Sequence, residues 1–170
     1  VWEEVDTTFS TTSSSFQDFL QPAETLFFTS TWLTRAFDVH SPVVSMLVQK
    51  GIQLRFVFPQ PDLILVPYNT NGLESPSQHQ RKQLHLLGSL LQLQDWRLHC
   101  NVELRLIAAR PVNNILAINY HTLHGRILYI PYLFGDFEFG PRPGFIISQE
   151  HHPDWYDRFY KRYVVGLWDD

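Results

Sequence analysis

Short apolar runs alternate along this chain with segments in which apolar residues recur at helical spacing. ETLFFTST at 24 to 31 predicts a buried first strand that ends in hydroxyl side chains. In IQLRFVF at 52 to 58 and VELRLIAA at 102 to 109, apolar residues occupy every second position, which is the period of a strand. NILAINY and RILYIPYLF, joined by HTLHG, predict a hairpin, and GFIIS at 144 to 148 predicts a last short strand.

Three further segments have the spacing of helices. Ser41-Pro42 begins the first, which Gly51 ends, and Ser75-Pro76 begins the second. The third is HHPDWYDRFYKRYVVGLW, near the end of the chain. In the second helix we expect one stripe to face the core and a second to widen it: Leu84, Leu87, Leu91 and Gln94, then Leu86, Leu90 and Leu93. The segment from 62 to 77 is not assigned.

The predicted order is therefore β-α-β-α-β-β-β-β-α. Strands that alternate with helices and then run consecutively favour a mixed sheet with helices on both faces. The predicted fold class is α/β (mixed α+β), in the form of a three-layer sandwich.

Composition indicates one globular domain with a well-filled core. The chain has 170 residues, 44% of them hydrophobic and 18% charged, and a formal net charge of −4. That charge provides no basic stripe for long nucleic acid. Cys100 is the one cysteine, which excludes an internal disulfide and suggests a reducing, cytoplasmic setting. No apolar run reaches the roughly 18 residues that a membrane helix needs.

The first 21 residues have the composition of a linker. They begin on Val1 without an initiator methionine and include DTTFSTTSSS, which has little to bury. We therefore expect residues 1–21 to be a segment leading from an upstream region, either an effector or a membrane segment, and residues 22–170 to form the domain.

The familiar catalytic motifs are missing from this sequence. It contains no G-x-S-x-G, no Walker loop, no G-x-G-x-x-G and no H-E-x-x-H. His99 and Cys100 are neighbours, so on a strand their side chains would point to opposite faces. His151, His152 and Asp154 are more typical of a helix start than of a metal site. We expect no metal and no cofactor.

Several polar residues admit two interpretations each. His121, His124 and Arg126 are either the polar tip of the hairpin or a ligand-phosphate site. Arg105 shares a strand face with Glu103, so it either pairs with that carboxylate or directs its guanidinium at a ligand carboxylate or phosphate. Trp32 either packs in the core or stacks on a base.

Taken together, the strand at 24 to 31, the helix ending in KG, IQLRFVFPQPD, VELRL, the hairpin, RPGFIIS and HPDWYDRFYKRYVVGLW resemble a single-module phospholipase-D-like domain. The resemblance covers about residues 24 to 169. Active members of that superfamily carry H-x-K-x-x-x-x-D, in which the histidine attacks a phosphodiester and the lysine holds its oxygens. Here the hairpin has His121-Thr-Leu-His124-Gly-Arg126, with neither the lysine nor the aspartate.

The resemblance therefore implies the fold without the covalent chemistry. It suggests a non-catalytic sensor domain in bacterial signalling or antiviral defence that regulates an effector attached at its N-terminus. Such modules place two copies face to face, which implies a homodimer and a nearly twofold ligand such as a cyclic dinucleotide. The predicted ligand-binding residues are Thr31, Trp32, Arg105, Asn119, His121, His124, Arg126 and Arg142.

Two alternatives stay open. The first is a degenerate phosphodiesterase that uses His121 or His124. The second is a protein-interaction module whose C-terminal helix docks a partner, which would be favoured if Tyr156 and Tyr160 were exposed as one patch.

Overall fold

A computed structural model describes residues 3–5, 18–30, 42–60, 76–98, 100–109, 113–131 and 144–169. The strands are β1 (Glu3–Val5), β2 (Thr25–Thr29), β3 (Gln53–Pro59), β4 (Val102–Ile107), β5 (Asn113–Ile118), β6 (Arg126–Pro131) and β7 (Gly144–Ser148). The helices are α1 (Pro42–Lys50), α2 (Pro76–Trp96), α3 (Pro153–Phe159) and α4 (Gly166–Asp169), with a π-helical turn (Tyr160–Val165) that joins the last two.

The described strands form one mixed sheet in the order β1-β7-β6-β5-β2-β3-β4. β2, β3 and β4 are parallel, whereas β5, β6, β7 and β1 continue the sheet with antiparallel pairings. The sheet therefore has two distinct ends. We call the end where β2, β3 and β4 finish the carboxyl edge, and the opposite end, where residues 119–125 join β5 to β6, the hairpin edge.

Helices α1 and α2 cover one face of the sheet. Leu47 of α1 and Leu86, Leu93 and Trp96 of α2 pack on the apolar alternation of β3, in which Leu54, Phe56 and Phe58 are fully buried. Pro42 is the first residue of α1, and Gly51 follows its last residue with φ of 61°, a left-handed conformation suited to a helix end.

The predicted core stripe of α2 is wrong. Leu84, Leu87 and Leu91 are exposed, and the stripe expected only to widen the core is the buried one. Leucines occur around most of this helix, so the spacing alone predicts two possible buried faces. The face that contains Trp96 is the buried one.

The C-terminal helix covers the other face. Tyr156 and Val164 pack with Phe27, Ala117 and Ile127, which are the alternate residues of β2, β5 and β6. Because successive strand residues point to opposite faces, a single apolar run such as LFF in β2 contributes to both layers.

Two parts of the predicted linker belong to the domain. β1 pairs antiparallel with β7 through Glu3 and Ile146, and a helical turn at residues 18 to 20 buries Phe19 and Leu20 against the α1/α2 face. A Ser/Thr-rich composition describes the middle of this segment but not its apolar ends. The remainder of residues 1–21 lies outside the described residues.

The predicted α/β (mixed α+β) three-layer class is confirmed by the mixed sheet with helices on both faces. The phospholipase-D-like assignment within that class stays a prediction. Most of the unassigned segment from 62 to 77, and the apolar positions predicted before Pro42, lie outside the described residues. In the part of the chain that is described, no helix combines the length and hydropathy required to cross a bilayer.

Candidate functional site

The predicted hairpin is present, and its glycine is explained by packing. Residues 119–125 connect β5 to β6, and Gly125 lies directly under the ring of Tyr156. A Cβ at position 125 would lie 2.7 Å from Tyr156 Cζ and 3.1 Å from the Thr122 carbonyl oxygen, closer than such contacts normally come. The hairpin therefore holds the C-terminal helix against the sheet.

Asn119 has a structural role at this edge. Among the described residues other than glycine, Asn119 is the one with a positive φ, at 49°. Asparagine tolerates this conformation better than most residues. Its Oδ1 accepts the backbone N–H of Glu24 at 2.8 Å and of Thr25 at 3.4 Å, and its Nδ2 donates to the Pro22 carbonyl at 2.9 Å. The amide predicted to bind a ligand thus fastens the segment before β2 to the hairpin.

His121 faces the C-terminal helix. Its Nδ1 lies 3.1 Å from the Tyr160 hydroxyl, and its ring packs 4.3 Å from that of Tyr120. Tyr156 stacks on Tyr160 with an interplanar angle of 8° and donates a hydrogen bond from its hydroxyl to the Tyr120 carbonyl at 3.2 Å. These residues line a shallow cleft of about 250 Å³, the hairpin cleft, formed by Tyr120, His121, Thr122, Leu123, Gln149, Tyr156, Asp157 and Tyr160.

Titration in the hairpin cleft favours uncharged rings. Burial, together with the positive charge of Arg55, lowers the pKa of His121 below its ordinary value of 6.5, so the imidazole is neutral at pH 7. Burial also raises the pKa of both Tyr156 and Tyr120, which keeps the phenols protonated. The one carboxylate of the lining, Asp157, pairs with Lys161 at 2.7 Å. Nothing in this lining resembles an activated nucleophile with its base.

The structure places the side chains of His121 and Arg126 on opposite faces of the sheet, so they do not form one site. Arg126 extends from β6 on the face that α1 and α2 cover, where its guanidinium lies 4.8 Å from the centre of the Phe19 ring. His121 contacts the helix on the opposite face. His124 is exposed at the hairpin tip, and its backbone N–H donates to Thr122 Oγ1.

Arg105 does not pair with Glu103. Glu103 instead accepts from Arg55 Nε on the neighbouring strand at 2.8 Å and from Gln53 Nε2 at 3.0 Å. Trp168 covers the Arg55 guanidinium at 4.8 Å, which completes that network. Arg105 is half-buried, and among the described residues it has no ion-pair partner. The ligand interpretation of Arg105 therefore stays open, whereas the Glu103 pairing is wrong.

A buried polar cluster lies at the carboxyl edge, where β2 and β5 meet. Thr29 is 0% exposed and Asn113 is 3% exposed, and within the described ranges neither Thr29 Oγ1 nor Asn113 Nδ2 has a hydrogen-bond partner. Both side chains lie on the face that carries Arg105, since Thr29 pairs with Val57 and Val57 pairs with Arg105. On the other face Ser30 Oγ donates to Asn114 Oδ1 at 2.6 Å. We call Thr29, Ser30, Asn113 and Asn114 the edge cluster.

The edge cluster lies where the parallel part of the sheet meets the antiparallel part. From β2 the chain continues through α1 to β3 on one side, while the neighbour on the other side, β5, is antiparallel to β2 and begins at this edge. Diagonal neighbours on one face of an antiparallel pair, such as Thr29 and Asn113, lie roughly 7 to 8 Å apart, so one small group can bridge them.

Among the described residues, two other buried hydroxyls lack a hydrogen-bond partner, and they differ in setting. Thr25 Oγ1, at the start of β2, stands alone. The Tyr120 hydroxyl lies close enough to Arg55 for that charge to oppose the rise in its pKa that burial causes. In the part of the chain that the structure describes, the edge cluster is the one place where two such groups lie on adjacent strands.

The predicted site residues are thus divided between the two edges. Asn119, His121, His124 and Arg126 belong to the hairpin edge, while Arg105 lies toward the carboxyl edge. Thr31, Trp32 and Arg142 lie outside the described residues. Sequence reasoning missed Asn113 and Asn114, although two polar residues at the start of an otherwise apolar strand were a usable signal.

Within the described ranges, no three histidine, cysteine, aspartate or glutamate side chains are grouped so that they could hold a metal ion. The same ranges place no histidine, cysteine or carboxylate in the edge cluster. The edge cluster can therefore donate and accept hydrogen bonds, but it does not supply a general base.

Comparison with known proteins supports the fold and nothing finer. No protein-family model matches the chain, and no curated protein does. Among solved structures, the chain is similar to TrmBL2, described as an archaeal chromatin protein that shows a novel mode of DNA binding. The TM-score is 0.51 at 10% identity, over 91% of this chain and 48% of TrmBL2. The chain thus spans about half the length of TrmBL2, and at this identity the likeness concerns the fold alone.

Proposed function

We propose that this chain is a non-catalytic sensor domain that binds a small, oxygen-rich ligand at the carboxyl edge of its sheet. The observation that carries the proposal is the pair of unpartnered atoms, Thr29 Oγ1 and Asn113 Nδ2, in side chains that are almost fully buried. Burying a polar group without a partner destabilises a fold by about 1 to 3 kcal/mol, so two side by side call for an explanation.

The chemistry of the site favours a ligand with phosphate or carboxylate oxygens. The Asn113 amide nitrogen is a donor, the Thr29 hydroxyl both donates and accepts, and the Arg105 guanidinium adds a positive charge on the same face. Thr29 and Arg105 stand two strands apart, about 10 Å between backbones, which the long arginine side chain can span.

In the wider proposal, the ligand is a cyclic dinucleotide or a related second messenger, and the domain works in the cytoplasm, in bacterial signalling or antiviral defence. Binding then regulates an effector attached at the N-terminus by favouring one arrangement over another. TrmBL2, about twice as long, suggests a DNA-binding effector as one form of this organisation. With a net charge of −4, we do not expect this chain to grip long nucleic acid by itself.

Calorimetric titration tests the binding step. The probes are inorganic phosphate, a mononucleotide and a cyclic dinucleotide, each added to the wild type and to Thr29→Val, Arg105→Gln and His121→Ala. We expect at least one probe to bind, with affinity about tenfold lower in Thr29→Val and Arg105→Gln, since each substitution removes one hydrogen-bonding partner. His121→Ala is the matched control at the hairpin edge and should bind like the wild type.

A turnover assay separates this function from a phosphodiesterase. The chain is incubated with a generic phosphodiester and with cyclic dinucleotides, and product is counted per protein molecule. We expect less than one turnover. Repeated turnover that His121→Ala or His124→Ala abolishes would establish the enzyme instead. Exposure of Tyr156 and Tyr160 as one patch would have favoured the docking alternative, and Tyr156 is buried.

A further inference from the structure

Strand β4 forms one edge of the described sheet and pairs with β3 on its inner side. Within the described ranges, no strand lies against its outer side. An edge strand presents backbone N–H and C=O groups that can pair with another chain. Natural proteins often prevent this with proline or lysine on the edge strand, and β4, VELRLI, contains neither. The outer side of β4 is therefore a candidate interaction surface, which we call the open edge.

The hydrogen bonds to β3 determine which residues of β4 face the open edge. Leu54 N–H donates to the Asn101 carbonyl at 2.9 Å, and Gln60 N–H donates to the Ile107 carbonyl at 2.8 Å. Consecutive residues of a strand direct their backbone groups to opposite sides, so the odd-numbered residues of β4 bond to β3. The backbone groups that point outward belong to Val102, Leu104 and Leu106.

The side chains of β4 form two rows of different character. Val102 and Leu104 pack on the side of the sheet that α1 and α2 cover, and Leu106 continues that row with 39% exposure. Glu103 and Arg105 lie on the opposite face. Among the described residues, Arg105 has no ion-pair partner. The open edge thus has an apolar row on one face and one charge of each sign on the other.

This pattern selects a second copy of β4, running antiparallel, as the occupant of the open edge. About a twofold axis at Leu104, Glu103 of each copy lies opposite Arg105 of the other, and Leu106 lies opposite Val102. The two neighbouring registers that keep the backbone pairing place Glu103 against Glu103 or Arg105 against Arg105. Like charges directly opposite each other destabilise a strand pair, whereas opposite charges stabilise it.

The backbone of the open edge fits the same register. Because the N–H and C=O of Leu104 point outward, Leu104 and its copy can exchange both N–H···O=C bonds. Leu106 N–H can donate to the Val102 carbonyl of the second copy, and symmetry repeats that bond. Val102 N–H takes no part, because it donates to the Cys100 carbonyl at 3.0 Å. Glu103 and Arg105 then form the non-hydrogen-bonded pairs, in which the side chains come closer together.

We propose that this chain forms a twofold-symmetric dimer in which β4 pairs antiparallel with β4 of a second copy, centred on Leu104. The sheets of the two copies then form one continuous sheet. Glu103 accepts from Arg55 Nε at 2.8 Å and retains lone pairs for Arg105 of the second copy. Arg105 also belongs to the proposed ligand site, but the dimer does not depend on that site, and its tests are made without ligand.

The length of β4 predicts a weak dimer. Its 6 residues span about 20 Å, and interfaces of less than about 1,200 Å² in total are typical of transient complexes. We therefore expect a dissociation constant in the micromolar range, measured by sedimentation equilibrium between about 5 and 500 μM protein. A wild type that stays monomeric over this range, or that associates beyond a dimer, would overturn the proposal.

Arg105→Glu tests the charge pairing, since it places two negative charges opposite each other. We expect the dissociation constant to rise about tenfold, with an unchanged circular dichroism spectrum. Arg97→Glu is the matched control, because Arg97 is exposed in the turn after α2 and the substitution changes the net charge equally. Its dimer should dissociate like that of the wild type. Equal weakening in the two variants would assign the effect to net charge and overturn the proposal.

Disulfide cross-linking tests the register directly. In a Cys100→Ser background, Leu104→Cys places two thiols at the twofold axis, where paired Cα atoms lie about 5.5 Å apart, a separation that a disulfide can span. Leu106→Cys is the matched control, since its two copies are displaced by four residues, more than about 13 Å. With the thiol oxidant diamide, we expect a covalent dimer from Leu104→Cys alone. Equal cross-linking of both variants, or cross-linking of Leu106→Cys alone or of neither, would overturn the proposal.

Discussion

At the hairpin edge of the sheet the Asn119 side chain makes three hydrogen bonds, whereas at the carboxyl edge the amide nitrogen of Asn113 makes none with the described residues. Asn113 is the first residue of β5, and Asn119 directly follows its last residue. The hairpin edge also contains His121, bonded to Tyr160, and Gly125, packed under Tyr156. The carboxyl edge contains Thr29, whose buried hydroxyl has no hydrogen-bond partner in the described segments.

The difference separates polar residues that form hydrogen bonds within the fold from buried polar residues that have no partner among the described residues. Polar groups at the hairpin edge largely join the hairpin to the C-terminal helix and to the segment before β2. At the carboxyl edge, the Thr29 hydroxyl and the Asn113 amide nitrogen are buried but do not join described elements in this way. Histidines and an arginine in a loop attract attention in a sequence, but hydrogen bonding in the structure favours the less conspicuous threonine and asparagine.

The largest effect is expected for Gly125→Ala. The added methyl group displaces the buried Tyr156 ring and separates the hairpin from the helix, which should lower the free energy of unfolding by about 2 to 3 kcal/mol. Urea denaturation measures it. Gly88→Ala, where a Cβ meets nothing, is the matched control and should not destabilise the monomer. Equal losses in the two variants would mean that Tyr156 does not pack on Gly125.

Next in size is Asn119→Ala, which removes the three hydrogen bonds and places alanine at positive φ. We expect a loss of about 2 kcal/mol in urea denaturation. Asn119→Gly relieves the backbone strain and should recover part of that loss. If ligand affinity falls in Asn119→Gly while stability is unchanged, Asn119 belongs to a binding site after all.

A change of opposite sign is expected at the carboxyl edge. Thr29→Val replaces a buried, unpartnered hydroxyl with a methyl group of similar size, so the free energy of unfolding should rise by about 1 kcal/mol. The same variant should bind ligand more weakly. A destabilised Thr29→Val would show that the hydroxyl has a partner within the fold.

The smallest effect concerns pH. Since the pKa of His121 is lower in the folded state than its ordinary 6.5, the unfolded chain takes up the proton first as the pH falls. Stability from this residue is therefore complete above pH 6.5 and decreases as the pH falls below it. Melting curves between roughly pH 7.5 and pH 5.5 should show a shallower decline in His121→Gln than in the wild type. An equal decline would assign the pH dependence to other groups.

The regular elements were readable from sequence because strand alternation and helix capping are local. Phe56 and Arg55 in β3 point to opposite faces as their alternation predicts, and Gly51 ends α1. The buried face of α2 could not be predicted, because leucines lie on both sides of the helix. Which side is buried depends on how Trp96 and its neighbours pack against the sheet. Partnerships across strands were also hidden, since the pairing of Glu103 with Arg55 depends on which strands become neighbours.

The site was only partly predictable for the same reason. In the sequence, Asn119 and Asn113 are both asparagines at the ends of one apolar segment. The register of β5 against β2 determines which of the two side-chain amides forms hydrogen bonds within the fold. A motif comparison that centres on His121 therefore pointed to the hairpin edge. The sequence left two partners open for the mid-strand Arg105, and the structure removes Glu103 as one of them.

The most direct test is a titration followed by two-dimensional ¹H–¹⁵N NMR with the probe that binds in calorimetry. The account predicts that the amide resonances of Thr29, Ser30, Asn113, Asn114 and Arg105 shift with added ligand, while those of residues 119 to 125 stay in place. Shifts confined to residues 119 to 125 and Tyr160 would contradict it and place the ligand in the hairpin cleft.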